Sequence, residues 1–359
     1  MSRFWSDHIQ GLQPYVPGEQ PKEKLLKLNT NEHAYGPSPK VFEAIAAANN
    51  KDLRLYPAYD SAALAEAIAE LHGVNTNQVF LGNGSDEVLA HIFNTLFLRG
   101  GRPLLMPDIT YSFYKTYSTF FNVPVELQPL ADDFSLNVAN YTKARDIPPA
   151  AIIFANPNAP TGLALGLEDI AAIASANADS VVVVDEAYVD FGADSALALL
   201  NQYDNIVVIH TLSKSYALAG LRVGYAVASA EIVAGLQRVK DSFNSYPLDT
   251  LAQVGAVAAI QDRQYFNDKR HAIMQSREKL TKDLQDLGFV VLPSKTNFVF
   301  ARHETLEGAY IQQALREQGV LVRHFQQPRI EQFLRITVGT PEQCATLVAA
   351  LQIISSKID

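Results

Sequence analysis

The stretch Thr211-Leu212-Ser213-Lys214-Ser215-Tyr216-Ala217-Leu218-Ala219-Gly220-Leu221-Arg222-Val223-Gly224 follows the apolar run Ile206-Val207-Val208-Ile209-His210. Such a run reads as a buried strand, so Lys214 falls just past a strand's carboxyl end, where open α/β sheets place their ligands. A lysine there is a candidate for forming an imine with a carbonyl group. Upstream, Val181-Val182-Val183-Val184 leads into Asp185-Glu186-Ala187-Tyr188, which puts a carboxylate at the edge of the same kind of sheet.

Either residue alone also reads as an ordinary solvated loop-edge side chain. Together they match the two demands of pyridoxal 5'-phosphate: an amine to hold its aldehyde, and a carboxylate to keep its pyridine nitrogen protonated so that the ring can absorb a carbanion's electrons. A desolvated pyridinium without a counter-charge would lose its proton.

The 359 residues, 48% hydrophobic and 19% charged, form an ordinary globular mixture. A net charge of -9 argues against a nucleic-acid surface, though a local basic pocket for a small anion is compatible with it. One cysteine, Cys344, excludes an internal disulfide and reads as helix packing. No histidine pair has metal-ligand spacing, so no metal site is expected. The amino terminus lacks the apolar core of a signal peptide and no run is long enough to span a bilayer, so a cytoplasmic protein without membrane contact is expected.

Residues 1–28, with Pro14, Pro17, Gly18 and Pro21 around Tyr15, read as an extended arm. From 29 to 243 strand-like runs alternate with helical ones, the pattern of a mostly parallel seven-stranded sheet covered on both faces. The expected strands are 78–81, 103–106, 123–127, 151–154, 180–184, 206–209 and 223–227, and Ser61 is expected to cap a helix carrying Leu64, Ile68 and Leu71. After a break near Asn244-Ser245-Tyr246-Pro247, residues 244–359 read as a smaller α+β domain. It opens with a helical pattern to about Leu287 and has strands at 297–301, 320–323 and 333–338.

Leu81-Gly82-Asn83-Gly84-Ser85-Asp86-Glu87 joins a strand to an amphipathic helix, and the unpaired amides at such a helix start can hold a phosphate. Ser85 could equally be only a cap. Ser213 and Arg222 beside the lysine could complete a cradle for a dianion. Tyr111 lies past another strand end and could stack on a pyridine ring, whereas Tyr117 and Phe120 read as helix packing. The asparagines of Asn156-Pro157-Asn158-Ala159-Pro160-Thr161-Gly162 could reach a ring oxygen or merely build a turn. A Gly82-x-Gly84 dinucleotide motif, and with it a Rossmann oxidoreductase, lacks its third glycine and leaves Lys214 unexplained.

The order Gly84-Ser85-Asp86, Tyr111, Asn158 to Gly162, Asp185 to Tyr188, Ser213-Lys214 and Arg222 resembles the fold-type I, class II, pyridoxal-phosphate-dependent aminotransferases from end to end. Further features narrow the likeness to the subfamily that transaminates L-histidinol phosphate. They are Pro14-Tyr15-x-Pro17-Gly18, Leu28-Asn29-x-Asn31-Glu32, Tyr35 to Pro39, Tyr56-Pro57, Leu218 to Gly224 and Leu334 to Gly339. An aromatic amino-acid aminotransferase of the same fold is the alternative.

The resemblance implies that Lys214 carries the cofactor and shuttles the proton, Asp185 pairs with the pyridine nitrogen and Tyr188 with the ring hydroxyl. Gly84, Ser85, Ser213 and Arg222 would hold the phosphate, and Tyr111 would stack on the ring. Arg335 and Arg323 would bind the anionic groups of the substrates, histidinol phosphate and 2-oxoglutarate or glutamate. Tyr56 and Tyr15 would each reach a neighbour's site in a homodimer with shared active sites. The chain departs from the family at Ala159, where an asparagine is common. Asn158 is then the expected ring-oxygen contact, with Asn156 the other asparagine of the turn.

Overall fold

The structure is a computed structural model that describes residues 3–16 and 18–356. Pro17, part of the arm motif, lies outside the described residues. The strands are β1 (Leu26–Leu28), β2 (Val79–Asn83), β3 (Leu104–Pro107), β4 (Val125–Gln128), β5 (Ala151–Ala155), β6 (Val181–Asp185), β7 (Ile206–Thr211), β8 (Val223–Val227), β9 (Phe289–Val291), β10 (Phe298–His303), β11 (Val320–His324) and β12 (Leu334–Thr337).

Seven of them form one sheet in the order β2-β8-β7-β6-β5-β3-β4, parallel except that β8 runs against both β7 and β2. Its central strands are buried on both faces, and their side chains alternate. Val183, Val207 and Ile209 pack with the helix Gly84–Ile92, while Val182, Val184 and Val208 pack with the helix Leu167–Ala176. Full burial of one such valine contributes about 1.5–3 kcal/mol on either face, so what a one-residue slip would change is the face on which Asp185 emerges. The same alternation sends Asp185 and Glu186 to opposite faces.

A second sheet has the order β1-β11-β12-β10-β9. The packing departs from the expected division of the chain at both ends. The last residues of the expected arm form β1, which pairs in parallel with β11 and so belongs to the second sheet. Beyond the expected boundary at 244, the helix Thr250–Gln261 packs through Ala252, Ala256 and Ile260 into the core shared with Leu64, Ile68 and Val79 of the first unit. The helical pattern to Leu287 is two helices, because Asp262 breaks it before Arg263–Gln285. Ser61 makes no side-chain cap; its backbone is left-handed at φ 48°, and Asp60 accepts from Ala62 N–H instead. Among the described residues no helix is long and apolar enough to cross a membrane.

Candidate active site

The carboxyl ends of β5, β6 and β7 open onto a cavity of about 280 Å³, closed on its far side by β11, β12 and the segment after β1. It gathers Tyr15, Ser85, Tyr111, Asp185, Tyr188, Ser213, Lys214, Arg222, Arg323 and Arg335 from the expected site residues.

Lys214 leaves the end of β7 in a turn, and its Nζ donates to Thr30 O at 3.4 Å while lying 5.9 Å from the centre of the Tyr188 ring. Asp185 accepts from the Tyr114 hydroxyl at 2.6 Å and from Ala187 N–H at 3.2 Å. No cation pairs with it among the described residues. Burial therefore dominates and pushes its carboxyl up to about 6, although Tyr114 and Ala187 pull the other way.

The anion cradle is built by close backbone approach. Gly84 sits at φ +78°, and a Cβ there would fall 2.5 Å from Arg222 Nη2; a Cβ on Gly224 would fall 2.3 Å from Ser85 N. Gly224 is thus needed for β8 to meet the start of the helix, while Gly84 supplies the left-handed turn and leaves room for the Arg222 guanidinium. Arg222, itself left-handed at φ 53°, is oriented by Asp86 Oδ2 at 2.8 Å, and Tyr111 donates to the other oxygen of Asp86 at 3.3 Å.

Across the cavity Arg323 and Arg335 face each other in antiparallel register. No carboxylate pairs with either among the described residues. Arg335 donates to Asn29 O at 3.1 Å, lies between the Phe298 and Phe325 rings, and has a buried Nε without a partner. Like charges opposite one another on adjacent strands are unfavourable until an anion joins them.

Two expectations need correction, those for the turn asparagines and for Tyr15. Asn158 does not line this cavity: its amide donates to Ile109 O and Thr161 Oγ1, and its carbonyl accepts from Thr110. Asn156 is likewise bonded both ways to the backbone of Leu165. Asn158 is thus held by its own turn and by Thr110 and Ile109, and neither asparagine lines the cavity. Tyr15 lines the cavity of its own chain, edge-on to Phe113 at 4.9 Å, rather than projecting to a neighbour. Pairing of β1 with β11, together with the Arg316–Glu19 ion pair and the Asn29 bond to Glu19 O, folds the arm back over its own second sheet. Tyr56 lies outside the cavity, 82% exposed and stacked on Tyr246 at 4.8 Å.

Sequence reasoning missed Tyr114, Thr30 and Asn31. Tyr114 stands one helical turn after Tyr111 on a helix whose aromatics read as packing, and the Asn29-x-Asn31 segment carries no chemistry until the fold brings it to the lysine.

A buried carboxylate with no paired cation among the described residues, a lysine on the same cavity, a cradle with Arg222 and two arginines without carboxylate partners among the described residues fit pyridoxal phosphate and an anionic substrate. The family model described as "Aminotransferase class I and II" matches residues 23–351. Histidinol-phosphate aminotransferase 1 of Bordetella parapertussis is 56% identical over 357 residues, covering 99% of this chain and 100% of that protein. The histidinol-phosphate aminotransferase of Pseudomonas putida is 55% identical, over 98% of this chain and 100% of that one. Among solved structures, histidinol-phosphate aminotransferase from Sinorhizobium meliloti in complex with pyridoxal-5'-phosphate aligns with a TM-score of 0.88 and 25% identity, over 100% of this chain and 99% of that chain.

Proposed function

The chain belongs to the class I and II aminotransferase family, and from that premise we propose that it transfers the amino group of L-histidinol phosphate to 2-oxoglutarate. The products are imidazole acetol phosphate and L-glutamate, a step of histidine biosynthesis, and a cytoplasmic location goes with these small polar substrates.

The observation that carries this reading is the facing pair Arg323 and Arg335 above Lys214. A transaminase binds two different substrates in one pocket, and here each presents an acid group: a phosphate ester in one, carboxylates in the other. Guanidinium forks suit both. The names borne by relatives more than half identical over nearly full length support the choice of donor.

Pyridoxal phosphate, when bound, supplies an electron-withdrawing ring that stores the charge of a carbanion. Lys214 would hold its aldehyde carbon and, once released, take the proton from the donor's α-carbon. Asp185 would hold the proton on the pyridine nitrogen, and that cation would relieve the carboxylate's uncompensated burial. Arg222, Ser213 and the amides at Gly84 and Ser85 would hold the phosphate, and Tyr111 would cover the ring. Arg335 and Arg323 would fix the substrate's acid groups.

We also propose a homodimer. Tyr56 and its stacking partner Tyr246 are exposed beside Leu53, Leu55, Tyr59 and Phe243, an apolar surface that suits a second copy. Tyr56 would then complete the neighbour's phosphate site.

The test is a coupled assay of L-histidinol phosphate against L-phenylalanine with 2-oxoglutarate as acceptor. We expect strong preference for the phosphate ester, and equal rates would refute the substrate assignment. Borohydride reduction and peptide mapping should place the cofactor on Lys214; label on another lysine refutes the mechanism.

A further inference from the structure

Ala159 presents a methyl group to the cavity at the point where an amide is common in this family, and Asn156 and Asn158, bonded to Leu165 and to Ile109, do not line it. Tyr188 is the remaining phenol beside Lys214 suited to the cofactor's ring oxygen. A phenol has one proton, which can point toward the cavity or away from it.

Its direction is set from behind by Asn31, which is 1% exposed and left-handed at φ 58°. Asn31 Nδ2 donates to Tyr188 Oη at 2.9 Å. The orientation of that amide follows from its other partner. The Thr337 hydroxyl accepts from Asn31 N–H at 3.0 Å, and among the described residues Asn31 Oδ1 at 3.2 Å is the acceptor for its single proton, which leaves the NH₂ group facing Tyr188. Asn297 Nδ2 donates to the backbone carbonyl of Asn31 at 3.0 Å. With one lone pair of Tyr188 Oη occupied by a donor, its own proton is free for the cavity.

We propose that Asn31 is a positioning residue that aims the Tyr188 proton at the cofactor's ring oxygen, so that one phenol held from behind replaces a pair of donors. The inference rests on the aminotransferase reading above. It ties a side chain held by the second sheet to the cofactor's electronics. The other groups that face Tyr188 (Lys214, Arg335, Tyr111 and the Asp185–Tyr114 pair) remain in place when Asn31 is changed.

Donation to the ring oxygen stabilises its anionic form and weakens its hold on the adjacent imine proton. Losing the donor therefore raises the pH midpoint of the visible absorbance of bound pyridoxal phosphate. That midpoint is measured in the purified holoenzyme for the wild type, Tyr188→Phe, Asn31→Asp, Asn31→Gly and the Asn31→Asp/Tyr188→Phe double variant. Tyr188→Phe should shift it upward by about 1 to 2 units, the size of a charge-assisted hydrogen bond. Asn31→Asp keeps the size and tolerates the backbone, but its carboxylate accepts the phenol's proton; it should shift the midpoint in the same direction by most of that amount. The double variant keeps the carboxylate's charge but has no phenol proton to redirect, so its shift should fall short of the sum of the two single shifts. Asn31→Gly, which suits the left-handed backbone, should give a smaller rise and carries the test where the carboxylate variant does not fold.

A shift in Tyr188→Phe with none in Asn31→Asp or Asn31→Gly overturns the proposal. No shift in Tyr188→Phe overturns it too, while cofactor mapped to Lys214 would leave the aminotransferase reading standing. A wild-type protein that takes up no pyridoxal phosphate refutes both.

Discussion

Asp185 and Glu186 are consecutive acids at the end of one strand, yet the two faces of the sheet treat them in opposite ways. On the cavity face Asp185 has two hydrogen-bond donors and, among the described residues, no paired cation, and its carboxyl is pushed up to about 6. On the far face Glu186 accepts from Ser195, from Ala196 N–H and from His210 Nε2 at 2.9 Å, and His210 leans through its other nitrogen on Tyr225. Burial works against the imidazolium, but the bond to and charge of Glu186 outweigh it, so the pKa of His210 is raised. One face is electrostatically complete without a ligand. The other is complete only with one, which is what separates a structural carboxylate from a site.

The largest expected effect comes from removing the incomplete partner. Asp185→Asn should cut turnover by roughly three orders of magnitude, because a neutral amide cannot hold the pyridinium through the charge-developing step. Stability of the cofactor-free protein should move the other way. A folded pKa raised from 3.8 to about 6 gives a contribution that is fully present below pH 3.8 and lost as pH rises through 6. At pH 8 the ionised carboxylate therefore costs about 3 kcal/mol that the amide avoids. Thermal melts of the cofactor-free proteins should show the variant more stable at pH 8 and the two converging near pH 4. A variant less stable at pH 8 would mean that Asp185 is satisfied without a ligand.

Glu186→Gln should do the reverse: little change in cofactor absorbance, and a loss of about 2 kcal/mol of stability, the worth of a charge-assisted bond. The sign with pH follows from His210. Its raised pKa gives stability fully present below the ordinary histidine value of 6.5 and lost as pH rises through the folded value. The penalty of the variant should thus be greatest near pH 5.5 and shrink toward pH 9. A penalty that grows with pH would show that the pair is not charged in the fold.

How much of this asymmetry was legible before the fold was known depends on the range of the interaction. The strands beside Lys214 and Asp185 declare themselves locally through four valines and an Ile-Val-Val-Ile run, and strand alternation alone assigns the two acids to opposite faces. β8 was also local, its bounds at Val223 and Val227 set by the glycine-bearing turn before it. Tyr114, Asn31 and His210 were not legible as partners, since each acts on a residue 24 or more positions away and only the fold brings them together. β1 and β9 are three-residue strands too short to carry a period, and their register comes wholly from β11 and β10. The turn after β5 misled for a different reason: its asparagines have the right chemistry, but hydrogen bonds within the turn and to Ile109 use it up.

The smallest effect should come from Tyr114→Phe, which leaves both carboxylates in place and makes the cavity face still less complete. Tyr114 is fully buried, and its hydroxyl is the shorter of the two bonds to Asp185, so the phenylalanine neither opens a cavity nor admits water. What it removes is a donor to an anion, and that should raise the Asp185 pKa by a further unit or so, about the worth of one hydrogen bond to a charged group. On the proposed reading the pyridinium of pyridoxal phosphate would pair with the ionised form, so affinity should decline below about pH 6 in the wild type and from about one unit higher in the variant. At pH 9, where both carboxylates are ionised, the two affinities should agree within a few-fold. The measurement is equilibrium dialysis of pyridoxal phosphate from pH 5 to 9 in a Lys214→Ala background, which removes the lysine's own titration. Should both proteins lose affinity at the same pH, the carboxylate is not what titrates, and the contrast between the two faces of β6 must be sought in shape rather than charge.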